Sequence, residues 1–313
     1  MDKQNRTAVK EFILMGITDR PELQAPFFGL FLIIYMISVI GNVGMIILTK
    51  IDSRLQTPMY FFLRHLAFID LGYSTAVGPK MLVNFVVNQN TIPYNWCAVQ
   101  LALFIMFIIS ELYVLSAMAY DRYVAICNPL LYTVIMSQRV CWGLVIVPYL
   151  YSAFLSLLTT IKIFISTFCG YNVISHFYCD SLPLMTLLCS STRDVELIVL
   201  IFSAFNLVSS LLIVLVSYML ILAAILRMKS AEGRYKAFST CGSHLIVVTV
   251  LYGNLFFMYV QPKSSHSFDS DKMASVFYTV VIPMLNPIIY SLRNREVKGA
   301  LHRIWKNLCR IPI

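Results

Sequence analysis

Charged side chains are scarce in this chain. Asp, Glu, Lys and Arg make up 12% of its 313 residues, about half of the roughly 25% expected of a soluble domain. A water-soluble globule of this composition would have almost nothing to put on its surface. The chain also lacks a low-complexity run, an internal repeat and any long polar segment that would mark a second domain, so residues 1–313 read as a single unit. No Ser/His/Asp set, phosphate-cradling loop or metal-ligand cluster stands outside the apolar runs, and hydrolase or transferase chemistry is therefore unsupported. The first residues, MDKQNRT, contain no apolar core of the kind a cleaved signal peptide needs. The first apolar helix is expected to serve as the targeting segment itself.

What the chain has in abundance is apolar sequence, at 59%. Uncharged stretches run from Leu23 to Thr49, Met81 to Ser110, Val140 to Ile161, Leu197 to Leu226, Ala237 to Pro262 and Met273 to Leu292. Each is long enough for a membrane-spanning helix, which needs about 20 mostly apolar residues. A seventh candidate lies between Pro58 and Leu82, interrupted by Asp70, and the 81–110 stretch must contain a polar loop, Asn88 to Trp96, before a helix that continues past Glu111 towards Asp121. The expected architecture is all-α, a seven-transmembrane-helix bundle, with helices 2 and 3 weak by hydropathy alone. After Tyr290, basic residues interleave with Val297, Leu301, Ile304, Trp305 and Leu308 at helical spacing. This predicts a short amphipathic helix 8 and tail, residues 293–313, lying on the inner leaflet.

Orientation follows from the basic residues, because cytoplasmic loops carry the Lys and Arg excess. With residues 1–24 outside, the inner face receives Lys50, Arg54, Arg64, Arg122, Arg139, Arg227, Lys229, Arg234, Lys236, Arg293, Arg295, Lys298, Arg303, Lys306 and Arg310, against Asp52, Asp121, Glu232 and Glu296. The net charge of +9 thus belongs to that face. It reads as a topology signal and an attraction for lipid headgroups, with nucleic-acid binding set aside. Asn5-Arg6-Thr7, the sole N-x-S/T sequon, falls on the outer segment and makes Asn5 the candidate glycosylation site. Cys97, Cys169, Cys179 and Cys189 also lie on the oxidising side, where disulfides persist. Four cysteines allow three pairings, and spacing does not choose among them.

The residues Met118-Ala119-Tyr120-Asp121-Arg122-Tyr123-Val124-Ala125-Ile126-Cys127 close helix 3 at the cytoplasmic boundary. An Arg beside an Asp there can exchange a neighbouring carboxylate for carbonyls of a partner protein, as a switch requires. By spacing alone it could equally be an interfacial charge marking a helix end. The decapeptide resembles the helix 3 signature of odorant receptors of the rhodopsin-like G-protein-coupled superfamily, closest to the tetrapod-type, class II group. Further signatures follow in order. Gly41-Asn42 resembles the family's GN, and Leu55-Gln56-Thr57-Pro58-Met59-Tyr60 its LHTPMY with Gln for His. Lys236-Ala237-Phe238-Ser239-Thr240-Cys241 is similar to its KAFSTC, and Pro283-Met284-Leu285-Asn286-Pro287-Ile288-Ile289-Tyr290 to its PMLNPxIY. Small departures occur at Leu251-Tyr252-Gly253 (FYG in the family) and Cys241-Gly242-Ser243-His244 (CASH).

The resemblance implies a receptor, not an enzyme, at the plasma membrane, binding small neutral lipophilic odorants and activating a stimulatory, olfactory-type G protein to raise cyclic AMP. It implies the bridges Cys97–Cys179 and Cys169–Cys189. It places the G-protein face and switch at Asp121, Arg122, Tyr123, Tyr218, Arg234, Lys236, Asn286, Pro287 and Tyr290. No cofactor is expected, apart from a sodium ion or proton that Asp70 and Glu111 could share near Asn42 and Asn286; a plain hydrogen-bond network is the alternative. His176-Phe177-Tyr178-Cys179-Asp180 has the H-x-x-C-[D/E] form linked to metal-assisted thiol recognition, but Cys179 is also the expected disulfide partner, and no metal is assigned. For the pocket, Leu101, Phe104, Ile105, Ile108 and Leu112 share one face of helix 3. The resemblance adds Phe202 and Asn206 from helix 5, Tyr252, Leu255, Phe256 and Tyr259 from helix 6, and Val276 and Thr279 from helix 7. No charged side chain is in this set. A transporter would show repeated halves or rows of pore charges, and an amine receptor an Asp where this chain has Phe104.

Overall fold

The computed structural model describes residues 9–18, 20–87, 90–169, 172–189, 193–260, 268–293 and 295–308. Within them, the side chains of residues 236, 239–240, 257–260, 268–271, 292–293, 295, 304–305 and 307–308 are left aside. Six long helices, α1 (Pro21–Ile51), α2 (Pro58–Val86), α3 (Tyr94–Cys127), α4 (Gln138–Ile165), α5 (Arg193–Arg227) and α6 (Ala231–Val260), lead to a seventh, α7. That helix comprises the consecutive segments Phe268–Val276, a π-helical turn Phe277–Val281, and Ile282–Arg293. A shorter helix α8 (Arg295–Leu308) follows. Pro21 and Pro58 stand at the first helical positions of α1 and α2, where a missing N–H costs nothing.

Five of these helices are long and apolar enough to cross a membrane: α1, α3, α4, α5 and, over Lys272–Ser291, α7. The weak hydropathy expected of helix 3 is not found, because one Glu is diluted across a helix that starts at Tyr94. The weak members are α2, with its internal Asp, Arg, His and Lys, and α6, whose apolar part is Cys241–Phe256.

Helix α3 occupies the centre, packed against α2, α4 and α5, while α1 flanks α2 and α7. Glycines set the closest approaches. A Cβ at Gly41 would sit 2.9 Å from Cγ of Pro287, and one at Gly78 would sit 2.8 Å from the Tyr35 ring. Gly41 and Pro287 thus form one contact, α1 against α7, between residues quoted above from two separate motifs.

One end of the bundle carries a feature the all-α reading did not contain. Three short strands, β1 (Glu11–Leu14), β2 (Thr91–Pro93) and β3 (Val173–Ile174), form a sheet in the order β2-β1-β3, antiparallel on one side of β1 and parallel on the other. Phe12 is wholly buried beneath it among Tyr94, Phe164 and Phe168. Both disulfides lie at this end. Cys97 joins Cys179 with Cα atoms 5.6 Å apart, and Cys169 joins Cys189 at 4.9 Å, within the span a disulfide bridges.

The long loop between α4 and α5 is also tied to α7. His176 Nε2 lies 3.0 Å from the Ser275 hydroxyl, and the Tyr178 and Tyr278 hydroxyls are 2.5 Å apart. Burial, aided by Lys272, pushes the His176 imidazole down to about 3 from its ordinary 6.5. It is therefore neutral in the fold and must gain a proton on unfolding in mild acid.

Two outcomes follow. Gly41→Val should cost about 1–3 kcal/mol through overpacking against Pro287, measured as a lowered Tm of the detergent-solubilised protein. For His176, stability is complete above pH 6.5 and is lost as pH falls towards the folded value of about 3. Between pH 7 and pH 5 the wild type should thus lose about 2 kcal/mol more than His176→Gln, read as a diverging Tm in paired thermal melts; parallel curves would contradict it.

Candidate functional site

A cavity opens between α3, α4, α5 and the loop that follows Cys179. Its walls are Phe104, Ile105, Ile108, Ile109 and Leu112 of α3, Leu155 and Thr159 of α4, Asp180 and Ser181 of the loop, Val199, Phe202, Ser203, Asn206 and Leu207 of α5, and Leu255 of α6. About 90 Å³ is open to the centres of water-sized molecules.

Phe104, Ile105, Ile108, Leu112, Phe202, Asn206 and Leu255 of the expected pocket set come together here. Others do not. Leu101 is buried one turn nearer the sheet, in the cluster with Phe12, Ile163 and Leu184. Tyr252 lies deeper, towards Ser116 and Ser210. Phe256 is 60% exposed on the outside of the bundle. Val276 and Thr279 are packed inside α7, the Thr279 hydroxyl donating to the Ser275 carbonyl at 2.7 Å. The α3 stripe is shared between cavity and cap because the loop, pulled down by the disulfide, covers its upper turn. The side chains of Tyr259 and Lys236, and Asn5, lie outside the described residues.

Sequence reasoning missed the α4 wall and, above all, Asp180, so the cavity does contain one acidic side chain. Asp180 is 8% exposed and caps the helical turn Ser181–Met185. Its Oδ1 accepts from the Ser181 backbone N–H at 2.7 Å and from the Ser181 hydroxyl at 3.3 Å. Burial pushes its carboxyl up to about 6 despite these bonds. Asn206 is partly committed: Oδ1 accepts from the Tyr113 hydroxyl at 3.1 Å and Nδ2 donates to the Phe202 carbonyl at 2.7 Å. The H-x-x-C-D run does not converge. His176 faces Ser275, the Cys179 sulfur is held by Cys97, and Asp180 faces the cavity.

Below the cavity lies a buried polar row. Asn286 Nδ2 donates to Asp70 Oδ2 at 2.9 Å and its amide is within reach of Glu111. Asn42 Nδ2 donates to the Ser38 and Pro283 carbonyls, each at 2.9 Å, and the Ser38 and Ser74 hydroxyls meet at 2.9 Å. Asp70 Oδ1, Glu111 Oε1 and Asn42 Oδ1 are buried without a partner among the described residues. Two carboxyl groups this close cannot both stay ionised in an apolar interior without a proton or a cation between them. The donor set is all oxygen, which suits a hard cation such as sodium.

At the far end of the bundle Arg122 pairs with Asp121 at 2.8 Å, and the Tyr132 hydroxyl donates to the same carboxylate at 2.7 Å. His244, fully buried, bridges three helices: Nε2 lies 3.0 Å from the Leu115 carbonyl and Nδ1 2.6 Å from the Tyr218 hydroxyl. A carbonyl only accepts, so Nε2 carries the proton, and in the neutral ring Nδ1 accepts from Tyr218. This clamp of α6 on α3 and α5 was missed; a His at the head of the apolar run that follows from Leu245 was its only signal. Tyr123 and Tyr218 pack beside Ile221, Ile225 and Cys241, Arg234 is exposed, and Pro287 and Tyr290 are buried in α7. Helix α8 is fastened by Arg303 to Asp52 at 2.6 Å and by the Tyr60 hydroxyl donating to Glu296 at 2.7 Å. The Arg303 guanidinium holds the Asp52 carboxyl below its usual range.

Residues 31–308 match the olfactory receptor family model. The chain is 74% identical to human olfactory receptor 8K3 over 311 residues, 99% of each chain, and 68% identical to human olfactory receptor 8K1 over 314 residues, 99% of this chain and 98% of that one. The crystal structure of squid rhodopsin has a TM-score of 0.70 over 91% of this chain and 81% of its own, at 16% identity, a likeness of fold alone. On the family match and these identities, the chain belongs to the olfactory receptor family: it is a seven-helix, multi-pass membrane receptor of the rhodopsin-like class, and not an enzyme.

Proposed function

We propose that the chain takes small, lipophilic, uncharged odorants into the α3–α4–α5 cavity and activates a stimulatory, olfactory-type G protein, raising cyclic AMP. The observation that carries the ligand class is the wall chemistry. The lining is mostly aliphatic and aromatic, with a few hydroxyl and amide groups, the usual make-up of small-molecule sites, and among the described residues it contains no basic side chain. A carboxylic acid would have to bury its charge uncompensated and beside Asp180. Such ligands are excluded.

In this reading the end with the disulfides and the sheet faces outside, with Asn5 glycosylated, and the basic end with α8 lies on the plasma membrane's inner, anionic leaflet. The Arg122–Asp121 pair and the His244 clamp hold the closed state. Agonist binding releases them, α6 swings outward, and Arg122, Tyr123, Tyr218, Arg234 and Lys236 meet the G protein. Asp70 and Glu111, with Asn42 and Asn286, hold a proton or a sodium ion that the transition reorganises. The three unpaired oxygens support that role.

A cyclic AMP reporter screen over chemically diverse volatiles supplies the agonist. Against it, Ile105→Trp, which fills the cavity, should raise the half-maximal concentration at least about tenfold, equivalent to about 1.4 kcal/mol, and Asn206→Ala should weaken the response. Unchanged potency in both at matched surface levels, or a preferred agonist that is an ionised acid, would contradict the pocket. Arg122→Ala should abolish the cyclic AMP response with surface expression retained; a normal response would contradict the coupling assignment. Glu111→Gln should alter basal signalling or its sodium sensitivity, and no change in either would remove the switch role.

A further inference from the structure

Among the described residues Asp180 is the one charged group on the cavity wall, and the reading above gives it no task beyond repelling acids. Its placement is unusually well determined. The preceding residue is bonded to Cys97 at the head of α3, and the Cys179 backbone N–H donates to Gln100 Oε1 at 2.9 Å while Gln100 Nε2 donates to the Ala76 carbonyl at 2.8 Å. Two and four residues earlier, Tyr178 and His176 tie the same loop to α7. The carboxyl group itself is asymmetric. Both of its hydrogen bonds, from the Ser181 N–H and hydroxyl, go to Oδ1. Oδ2 accepts none among the described residues, in a side chain more than nine-tenths buried at the cavity.

We propose that Asp180 Oδ2 is the polar recognition point of the cavity, a fixed acceptor that selects odorants with a hydroxyl donor over isosteric ketones, esters and ethers. The inference rests on the pocket assigned above and narrows its ligand class to alcohols. A hydroxyl donates to Oδ2 and gains a charge-assisted hydrogen bond. A ketone or ether of the same shape turns a lone pair towards the carboxylate and leaves both oxygens unsatisfied. With its acidity weakened only to about 6, the group is mostly ionised at neutral pH and has no proton to offer such acceptors. The acceptor is held in place before the ligand arrives, so little ordering is needed on binding.

The neighbouring wall suits a short apolar tail. Beside Asp180 the cavity is lined by Ile105, Ile108, Leu112, Phe202 and Leu207. Hexan-1-ol, hexan-2-one and 1-methoxypentane are matched in heavy-atom number and differ at the point in question.

The test is a cyclic AMP dose-response series on such alcohol, ketone and methyl ether triples, extended to branched and aromatic skeletons, on the full chain at matched surface levels. In wild type the alcohol should be at least about tenfold more potent than its partners, as expected for losing a hydrogen bond to a charged group. Asp180→Asn keeps an acceptor for Ser181 and turns an NH₂ donor to the cavity, so the alcohol preference should vanish or reverse in favour of the ketone. A wild-type receptor that responds as well to ketones or ethers, or to no alcohol at all, overturns the proposal, and this arm needs no variant to fold. So does an unchanged alcohol preference in Asp180→Asn. If Ile105→Trp silences the responses while Asp180→Asn leaves selectivity untouched, the role of Asp180 falls and the pocket stands. If Ile105→Trp does nothing, the pocket itself falls.

Discussion

A helix surrounded by lipid gains nothing by burying a leucine, since the tails outside are as apolar as the neighbouring helix. The bundle is bound by that constraint. Ile33, Ile40, Val147, Leu150, Leu200 and Val216 are all more than half exposed on its outer surface and would be satisfied there. What distinguishes one packing from another is close approach and polar complementarity. Gly41 lets α1 reach Pro287, the Ser110 and Ser152 hydroxyls join α3 to α4 at 2.7 Å, and Ser116 donates to the Ser210 carbonyl of α5 at 3.1 Å. Helix α3 touches every one of these networks except the first, which explains its central burial despite an outwardly ordinary apolar sequence.

The same constraint separates the two ends of the bundle from its middle. At the disulfide end, water and loops are available, and the chain builds a small conventional core there: a sheet, an aromatic cluster and two bridges. That core presses the loop after Cys179 into the mouth of the bundle. The cavity is consequently walled by a loop as well as by helices, and its chemistry is decided partly by residues on no spanning segment. At the opposite end the contacts are ion pairs and hydroxyl bonds, Arg122 with Asp121, Tyr218 with His244, Arg303 with Asp52, each able to part without exposing an apolar surface.

Much of this was legible in the sequence and some was not, for identifiable reasons. The gaps between charges marked the seven helices because a charge inside lipid is costly. Motif residues located the helix ends, and the bridges expected from family resemblance are present. The sheet escaped notice because its strands have only two to four residues, too few for alternation to register. The pocket was displaced for a related reason. The α4 wall, Leu155 and Thr159, lies on a face whose signal is the hydroxyl stripe Ser152, Ser156, Thr159 and Thr160, a spacing the apolar-run reading passed over. Phe256 was carried inward by position although its helix turns it out. Asp180 drew notice only as the end of the H-x-x-C-D run, to which no metal is assigned; the expected disulfide at Cys179 is present, and His176 and Asp180 meet different neighbours.

The arrangement along α3 bears on how a ligand in the cavity could reach the far end. Leu112 forms the cavity floor, and Glu111, its neighbour in the chain, belongs to the polar row with Asp70 and Asn286. One turn further, Leu115 supplies the carbonyl that His244 holds. Arg122 lies ten residues beyond Leu112, about 15 Å at 1.5 Å per residue. A stiff helix thus carries three features in sequence: cavity wall, buried carboxyl and clamp. Coupling still requires an element with two arrangements. The His244 clamp is a candidate, because it joins α3, α5 and α6 through two hydrogen bonds beside the small cluster of Ile221, Ile225 and Cys241. A change of a few tenths of an ångström at Leu112 need not travel as a displacement. In the function proposed above, it would only have to bias the protonation or geometry of the Glu111 row, one turn from the carbonyl that His244 holds.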